Sequence, residues 1–228
     1  MLLLTATMKE NENNQPRDYS TISPSAKALL FLKGYTNIPF ARKAAELMAL
    51  PEKYEPDFDK KDFRFWARLV HFESRYWSID QLMAGLPIKN ILEISSGFSF
   101  RGLAAVQQEG IHYIDTDLPE VIELKKQFIK ELHPGEINPN SKLETLPLNA
   151  LDENAFEEIV SHFPADEPLI IVNEGLLMYL STAEKEKLCK IIHNILDKRG
   201  GYWITADIYI KQRDEIPGMM DDKLSQFF

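Results

Sequence analysis

From residue 88 onward the chain alternates short apolar runs with amphipathic segments of helical period, and that alternation leaves few architectures open. Five runs read as buried strands, at 88–94, 111–116, 143–148, 169–173 and 202–208. Helices are expected between them at 100–109, 120–132, 153–161 and 182–197. Strands separated by helices must be joined by crossovers rather than hairpins, which gives a parallel sheet with helices on both faces. The expected fold class is therefore α/β, doubly wound and mostly parallel. The last helix carries its own punctuation: Ser181 and Glu184 form a capping box, and Gly200 and Gly201 follow the basic pair Lys198 and Arg199.

The stretch 90–102, Asn-Ile-Leu-Glu-Ile-Ser-Ser-Gly-Phe-Ser-Phe-Arg-Gly, joins the first strand to the first of these helices. Its turn is built from small residues, with Gly97 between Ser95 and Ser99, and a ligand can reach the backbone only where side chains are small. In doubly wound sheets ligands bind at the carboxyl ends of strands, where the strand order reverses. Each strand tip of this chain offers a polar group there. The first gives Glu93 and the serine-glycine turn. The second gives Asp115 and Asp117, an acidic tip about 20 residues beyond the turn, where an ionised carboxylate can accept both hydroxyls of a ribose. Asp117 could equally cap the helix that starts near Pro119. The third tip carries Asn149 and Ala150, which could meet an adenine edge or simply close a turn. At the fourth stands Glu174, and a carboxylate at the end of a buried strand needs a polar partner.

Residues 1–20 are rich in Asn, Glu, Gln and Lys and are expected to be a disordered tail. Residues 21–86 read as an N-terminal helical cap, and 87–228 as the sheet domain. Cap helices are expected at 23–33, opened by Ser23-Pro24 and stopped by Gly34, at 40–50 before Pro51, and at 59–84. On the third, Phe65, Leu69, Phe72 and Tyr76 recur at helical spacing and should be core. Arg64, Arg68, His71 and Arg75 follow the same spacing. That basic stripe either faces solvent and acidic neighbours or delivers Arg75 to an anion at the sheet.

Charge narrows the partners. Lys plus Arg is 26 against 35 Asp plus Glu, a balance of −9, which argues against a nucleic-acid surface. The single Cys189 rules out a disulfide framework and fits a reducing cytosol. Met1-Leu2-Leu3-Leu4 is too short for a membrane span or signal peptide. A soluble, cytoplasmic protein without membrane association is expected. There is no zinc-type Cys/His spacing and no phosphate-binding Gly-Lys-Ser/Thr loop, and His112, His133, His162 and His193 are scattered, so no metal site is expected.

Taken together, the turn from Glu93 to Arg101, the segment Asp115-Thr-Asp-Leu-Pro-Glu-Val-Ile-Glu-Leu-Lys125 and the run Glu174-Gly-Leu-Leu-Met-Tyr-Leu180 resemble the leucine carboxyl methyltransferase family. That family includes bacterial O-methyltransferases of the polyketide-biosynthesis type. Arg75, in His-Phe-Glu-Ser-Arg-Tyr, matches the arginine that the family places on a helix before its first strand. The likeness runs over about residues 19–210 and lies in the order and spacing of four motifs. It implies a class I methyltransferase with a Rossmann-like sheet and S-adenosyl-L-methionine as cofactor. By the same resemblance Gly97 and its neighbours would lie against the methionine end, Arg75 would pair with its carboxylate, and Asp117 would hold the ribose. Asn149 and Ala150 would meet the adenine, and Glu174 the methionine amino group or the substrate mouth. The candidate cofactor-binding set is thus Arg75, Glu93, Ser95, Gly97, Ser99, Asp115, Asp117, Asn149, Ala150 and Glu174. Two departures are visible: the turn has serines where relatives have more glycine or Asp, and Asn149 replaces their usual Asp. Too few residues follow Tyr209 to complete the family's seven-stranded sheet. The C-terminal strands are therefore expected to be missing, leaving strand five as an open edge that a second copy of the chain could cover.

The implied reaction is O-methylation of a carboxylate or hydroxyl on a small molecule or a protein C-terminus. A carboxylate acceptor is already ionised at neutral pH and needs only a cation to steer it, for which Arg101 and the basic stripe are candidates. A hydroxyl needs a general base. Arg75, His71 and Tyr179 are the candidate catalytic residues, His71 being the first choice as base and Tyr179 the second. Two rivals remain. An acidic second strand also suits a nicotinamide-dependent oxidoreductase, although Gly97 and Gly102 miss the G-x-G-x-x-G spacing. The other is a non-catalytic, cofactor-binding relative that works through protein contacts.

Overall fold

The computed structural model describes residues 23–55, 57–58, 61–132 and 137–207. The expected tail, and the last residue expected of the fifth strand, lie outside that set. Three helices come first: α1 (Ser23–Lys33), α2 (Ala41–Ala49) and α3 (Phe63–Ala84). α3 starts at Phe63 because Asp62 caps it, its side chain accepting the Phe65 N–H at 2.9 Å. Of the four α3 residues expected in the core, Leu69 and Tyr76 are buried. Phe65 and Phe72 are only half-buried, and Phe72 stands at the edge of a cavity instead.

The remainder is the alternation read from the sequence: β1 (Asn90–Glu93), α4 (Arg101–Ala105), β2 (His112–Asp117), α5 (Pro119–Leu132), β3 (Lys142–Pro147), α6 (Glu153–Val160), β4 (Leu169–Asn173), α7 (Thr182–Arg199) and β5 (Gly201–Thr205). The strands form one parallel sheet in the order β3-β2-β1-β4-β5. In register, Glu93 lies opposite Asp115 on one side and Val172 on the other. Successive strand residues feed opposite cores: Leu92, Ile114 and Ile171 pack with α6 and α7, while Ile91, Tyr113 and Ile170 pack with the end of α3. Both faces are covered, as the doubly wound reading requires. A third cluster joins Leu30 of α1 and Ala44 and Ala45 of α2 to Phe98, Phe100 and α5. The helical cap therefore sits directly on the turn after β1.

α4 is shorter than the 100–109 expected. The buried Val106 ends it, the Gln107 side chain donates to the Leu103 carbonyl, and Gly110 turns the chain with a φ of 78°. Gly102 is needed here, since a Cβ would come within 2.6 Å of the Tyr113 ring. The capping box of α7 forms as read, in both directions. Among the described residues β5 pairs only with β4, so its other edge has no strand neighbour. The opposite edge strand, β3, carries charge: Glu144 meets His112 at 2.8 Å, His162 at 3.0 Å and Lys142 at 2.8 Å. Among the described residues no helix is long and apolar enough to cross a membrane.

Candidate functional site

Strand order reverses between β1 and β4, and the chain leaves β1 there through a strained turn. Ser95 and Gly97 both have φ of 52°, in the left-handed region that only glycine adopts freely. Ser95 thus takes a conformation that a glycine would hold at less cost, at a place where the sequence already suggested one. A Cβ on Gly97 would meet nothing within 4 Å, so its open face looks into empty space. That space is a cavity of about 730 Å³ over the strand tips, within the range of small-molecule and cofactor pockets.

Asp117, at the end of β2, fixes the turn. Its Oδ2 accepts the Gly97 N–H and its Oδ1 the Leu118 N–H, each at 2.7 Å. Asp117 also lines the cavity, and the N–H groups it accepts are those of the turn and of Leu118, the residue just before α5. Each carboxylate oxygen keeps a second lone pair for a ligand hydroxyl. Burial raises the Asp117 pKa, with the two backbone N–H groups pulling it back. At the β3 tip the exposed Asn149 lines the cavity and its Oδ1 accepts the Leu151 N–H at 3.0 Å. The side chain closes a turn, which leaves its amide nitrogen to donate. Ala150, next to it, is buried in the cavity wall.

The β4 tip is the most charged part of the site. Glu174 lines the cavity and is paired with Lys33 of α1 at 3.2 Å and with Arg101 at 3.0 Å. Burial alone would raise its pKa, but Lys33, Arg101 and Arg75 hold it at about 2. Arg75 reaches the same edge from α3, and its Nη2 donates to Asp207 at 2.8 Å. The Arg75 Nε is buried without a hydrogen-bond partner. Asp207, just past β5, also accepts from Asn173 Nδ2 and from the backbone N–H groups of Gly175, Leu176 and Leu177. One carboxylate thereby sets both the β4 turn and the direction of Arg75.

His71 and Tyr179 also line the cavity. His71 is exposed, and partial burial together with the neighbouring Arg75 lowers its pKa, so the imidazole is neutral at pH 7. Ser95 and Ser99 line the turn, where the Ser99 hydroxyl accepts the Arg101 N–H at 3.3 Å.

Two expected ligand contacts are not on the cavity wall. Glu93 is buried, taking Arg101 at 2.9 Å and the Tyr113 hydroxyl at 2.7 Å. Asp115 is buried beneath the turn against Lys125 at 3.0 Å. Glu93 is the last residue of β1 and Asp115 lies two residues before the end of β2, and the pleat turns both side chains into the interior. Arg101, expected to steer an acceptor, is only 1% exposed and held by three carboxylates, so no acceptor reaches it. Conversely, Lys33 and Asp207 were not singled out from sequence. The only available signals were Lys33 closing α1 just before Gly34 and Asp207 standing two residues beyond a strand end.

The leucine carboxyl methyltransferase family model matches residues 13–193, well over half of the chain. A protein of Parafrankia sp. (strain EAN1pec), provisionally named an S-adenosyl-L-methionine-dependent methyltransferase, is 24% identical over 111 residues, 48% of this chain and 35% of its own. A similarly named protein of Mycobacterium tuberculosis (strain ATCC 25618 / H37Rv) is 24% identical over 141 residues, 61% of this chain and 42% of its own. The chain thus spans about two fifths of the length of the curated relatives it matches. Among solved structures, a provisionally named methyltransferase from Thermobifida fusca YX superposes with a TM-score of 0.46 at 16% identity, covering 79% of this chain and 64% of that one. On the extent of the family match, with the strand order and site motifs in place, this chain belongs to the leucine carboxyl methyltransferase family.

Proposed function

We propose that this chain binds S-adenosylmethionine and methylates a carboxylate oxygen of an acceptor with an apolar body. The observation that carries the reading is the gathering of Glu174, Arg75 and Asp117 around the open face of Gly97 in one cavity. The residues present suit such a cofactor. An amino-acid end needs an anion for its ammonium and a cation for its carboxylate, and Glu174 and Arg75, both on the cavity wall, supply them. An adenosine needs an acceptor for its diol and an apolar slot for its base, for which Asp117 and Leu118, Leu148 and Ala150 stand ready. The family and the names of the relatives point the same way.

When bound, S-adenosylmethionine supplies a methyl group already activated by its sulfonium. The protein's task is then to align an acceptor and exclude water. The outer wall of the cavity, from α1 and α3, combines Ala26, Leu29 and Ala67 with Arg64 and Arg68. Such a wall accommodates an apolar body with an anionic head. A carboxylate acceptor, with a pKa of about 4, is ionised at pH 7 and needs no base. The neutral His71 is the one observation favouring a hydroxyl acceptor instead. His71→Ala separates the two. With a carboxylate acceptor the variant keeps kcat within about threefold, whereas loss of a general base lowers it about 10²- to 10⁴-fold.

Calorimetric titration with S-adenosylmethionine, S-adenosylhomocysteine and NAD tests the reading as a whole. Saturable binding of the first two and none of NAD is the expected result. Binding of NAD alone would transfer the site to the nicotinamide enzymes. Cofactor binding with no methyl transfer to any carboxylic acid or alcohol in a labelled-methyl screen would mark an inert relative.

A further inference from the structure

Arg101 does not touch the cavity, yet it ties together three carboxylates beside it. Its three guanidinium nitrogens go to carboxylates on three different elements. Nε meets Asp80 of α3 at 2.7 Å, Nη1 meets Glu93 of β1 at 2.9 Å, and Nη2 meets Glu174 after β4 at 3.0 Å. The group is 1% exposed, and the Tyr76 ring lies 4.3 Å from its central carbon. We propose that Arg101 is a positioning residue of the cofactor site, acting through Glu174 by locking one oxygen of that carboxylate against α3 and β1 so that the other faces the ligand. This rests on the reading that Glu174 receives the cofactor's ammonium.

The two oxygens of Glu174 are held in different ways. Oε2 is bound by Arg101, a planar fork with every direction already fixed by Glu93 and Asp80. Oε1 is bound by Lys33 at 3.2 Å, a point charge on a flexible stem from the helical cap. An arriving ammonium can displace the lysine, whereas the arginine cannot leave without stranding two other carboxylates. The division gives one fixed oxygen and one exchangeable oxygen. Arg101 also keeps Glu174 charged. Burial opposes ionisation there; the cations that act on Glu174 are Lys33 from α1, Arg75 from α3 and Arg101 from α4, with His71, Tyr76 and Asp80 of α3 also within reach of its charge, while Glu93 of β1 shares Arg101 with it and Asp207 past β5 holds Arg75. Of the cations among them, Arg101 is the one with no path to solvent.

The test is the dissociation constant for S-adenosylhomocysteine at pH 8 and pH 5, in the parent, Arg101→Met and Arg101→Lys. Without Arg101, burial pushes Glu174 towards its neutral form as the pH falls. The Arg101→Met variant is expected to bind about tenfold more weakly than the parent at pH 8 and about a hundredfold more weakly at pH 5. Arg101→Lys restores charge but not the fork, and is expected to stay about tenfold weaker at both pH values. A parent-to-variant ratio that does not change with pH is what general loosening would give, and it overturns the proposal. A lysine variant that binds like the parent overturns it too. Because Arg101→Met strands a buried carboxylate, the double variant Arg101→Met/Glu93→Gln serves if the single one does not fold. If neither folds, the lysine variant decides. A parent that does not bind the ligand at all sinks the functional reading and this one with it, whereas the other failures sink this one alone.

Discussion

Replacing Asp117 by Ala is expected to weaken S-adenosylhomocysteine binding by about a hundredfold, the largest effect of any single substitution on the cavity wall. The carboxylate has two tasks, and both are lost. As a ligand group it accepts ribose hydroxyls, and hydrogen bonds to a charged acceptor contribute about 1.5–3 kcal/mol, of which about 2.7 kcal/mol makes a hundredfold. As a brace it accepts the N–H groups of Gly97 and Leu118 at 2.7 Å and so sets the turn under the ligand. The fold should survive, because the turn stays tied to β2 by the Ser96 N–H on the Thr116 carbonyl at 2.9 Å and by the Thr116 hydroxyl on the Glu93 carbonyl at 2.9 Å. Circular dichroism of the variant checks that, and calorimetry reads the affinity. Affinity within threefold of the parent would take the ribose away from Asp117.

A second substitution should act on stability rather than on ligand. Lys125 is 0% exposed beneath the turn, 3.0 Å from Asp115 and 2.8 Å from the Ser96 hydroxyl. Lys125→Met leaves Asp115 buried without its cation, a change that costs about 3–5 kcal/mol. For a chain of this size that lowers Tm by roughly 10 °C. The sign with pH follows from the carboxyl. Burial raises the Asp115 pKa while Lys125 pulls it down, so removing Lys125 raises it further. A carboxyl whose folded-state pKa lies above its unfolded value stabilises the fold at low pH and loses that contribution as pH rises through the folded-state value. The deficit is therefore greatest at neutral pH and above, and shrinks as the pH falls towards 5. Adding Asp115→Asn should recover most of the loss. A Tm deficit that is the same at every pH would show that Lys125 matters through packing alone.

What the sequence made legible was whatever depends on period and order. Five apolar runs separated by helical segments gave the strands, and the small-residue turn gave the place where the sheet opens. The capping box at Ser181 and Glu184 needed no tertiary information at all, since both partners lie within one turn of helix. The tip residues Asp117, Asn149 and Glu174 were found because a strand end announces itself locally. The errors came where facing mattered. Glu93 and Asp115 looked like tip residues by number, yet the pleat turns them inward, onto Arg101 and Lys125. Arg101 looked like a free cation because its three partners come from positions 80, 93 and 174, a convergence that no local pattern records. Lys33 and Asp207 were passed over for the same reason: each meets the site only through the packing of a distant element.

The most direct test of the whole account is a crystal structure of the protein with S-adenosylhomocysteine. The expected result is the adenosine over Gly97 with its ribose on Asp117, and the amino-acid end between Arg75 and Glu174, with Lys33 moved off the glutamate. A ligand bound elsewhere, or a cavity above the tips of β1 and β4 left empty at saturating ligand, would contradict it.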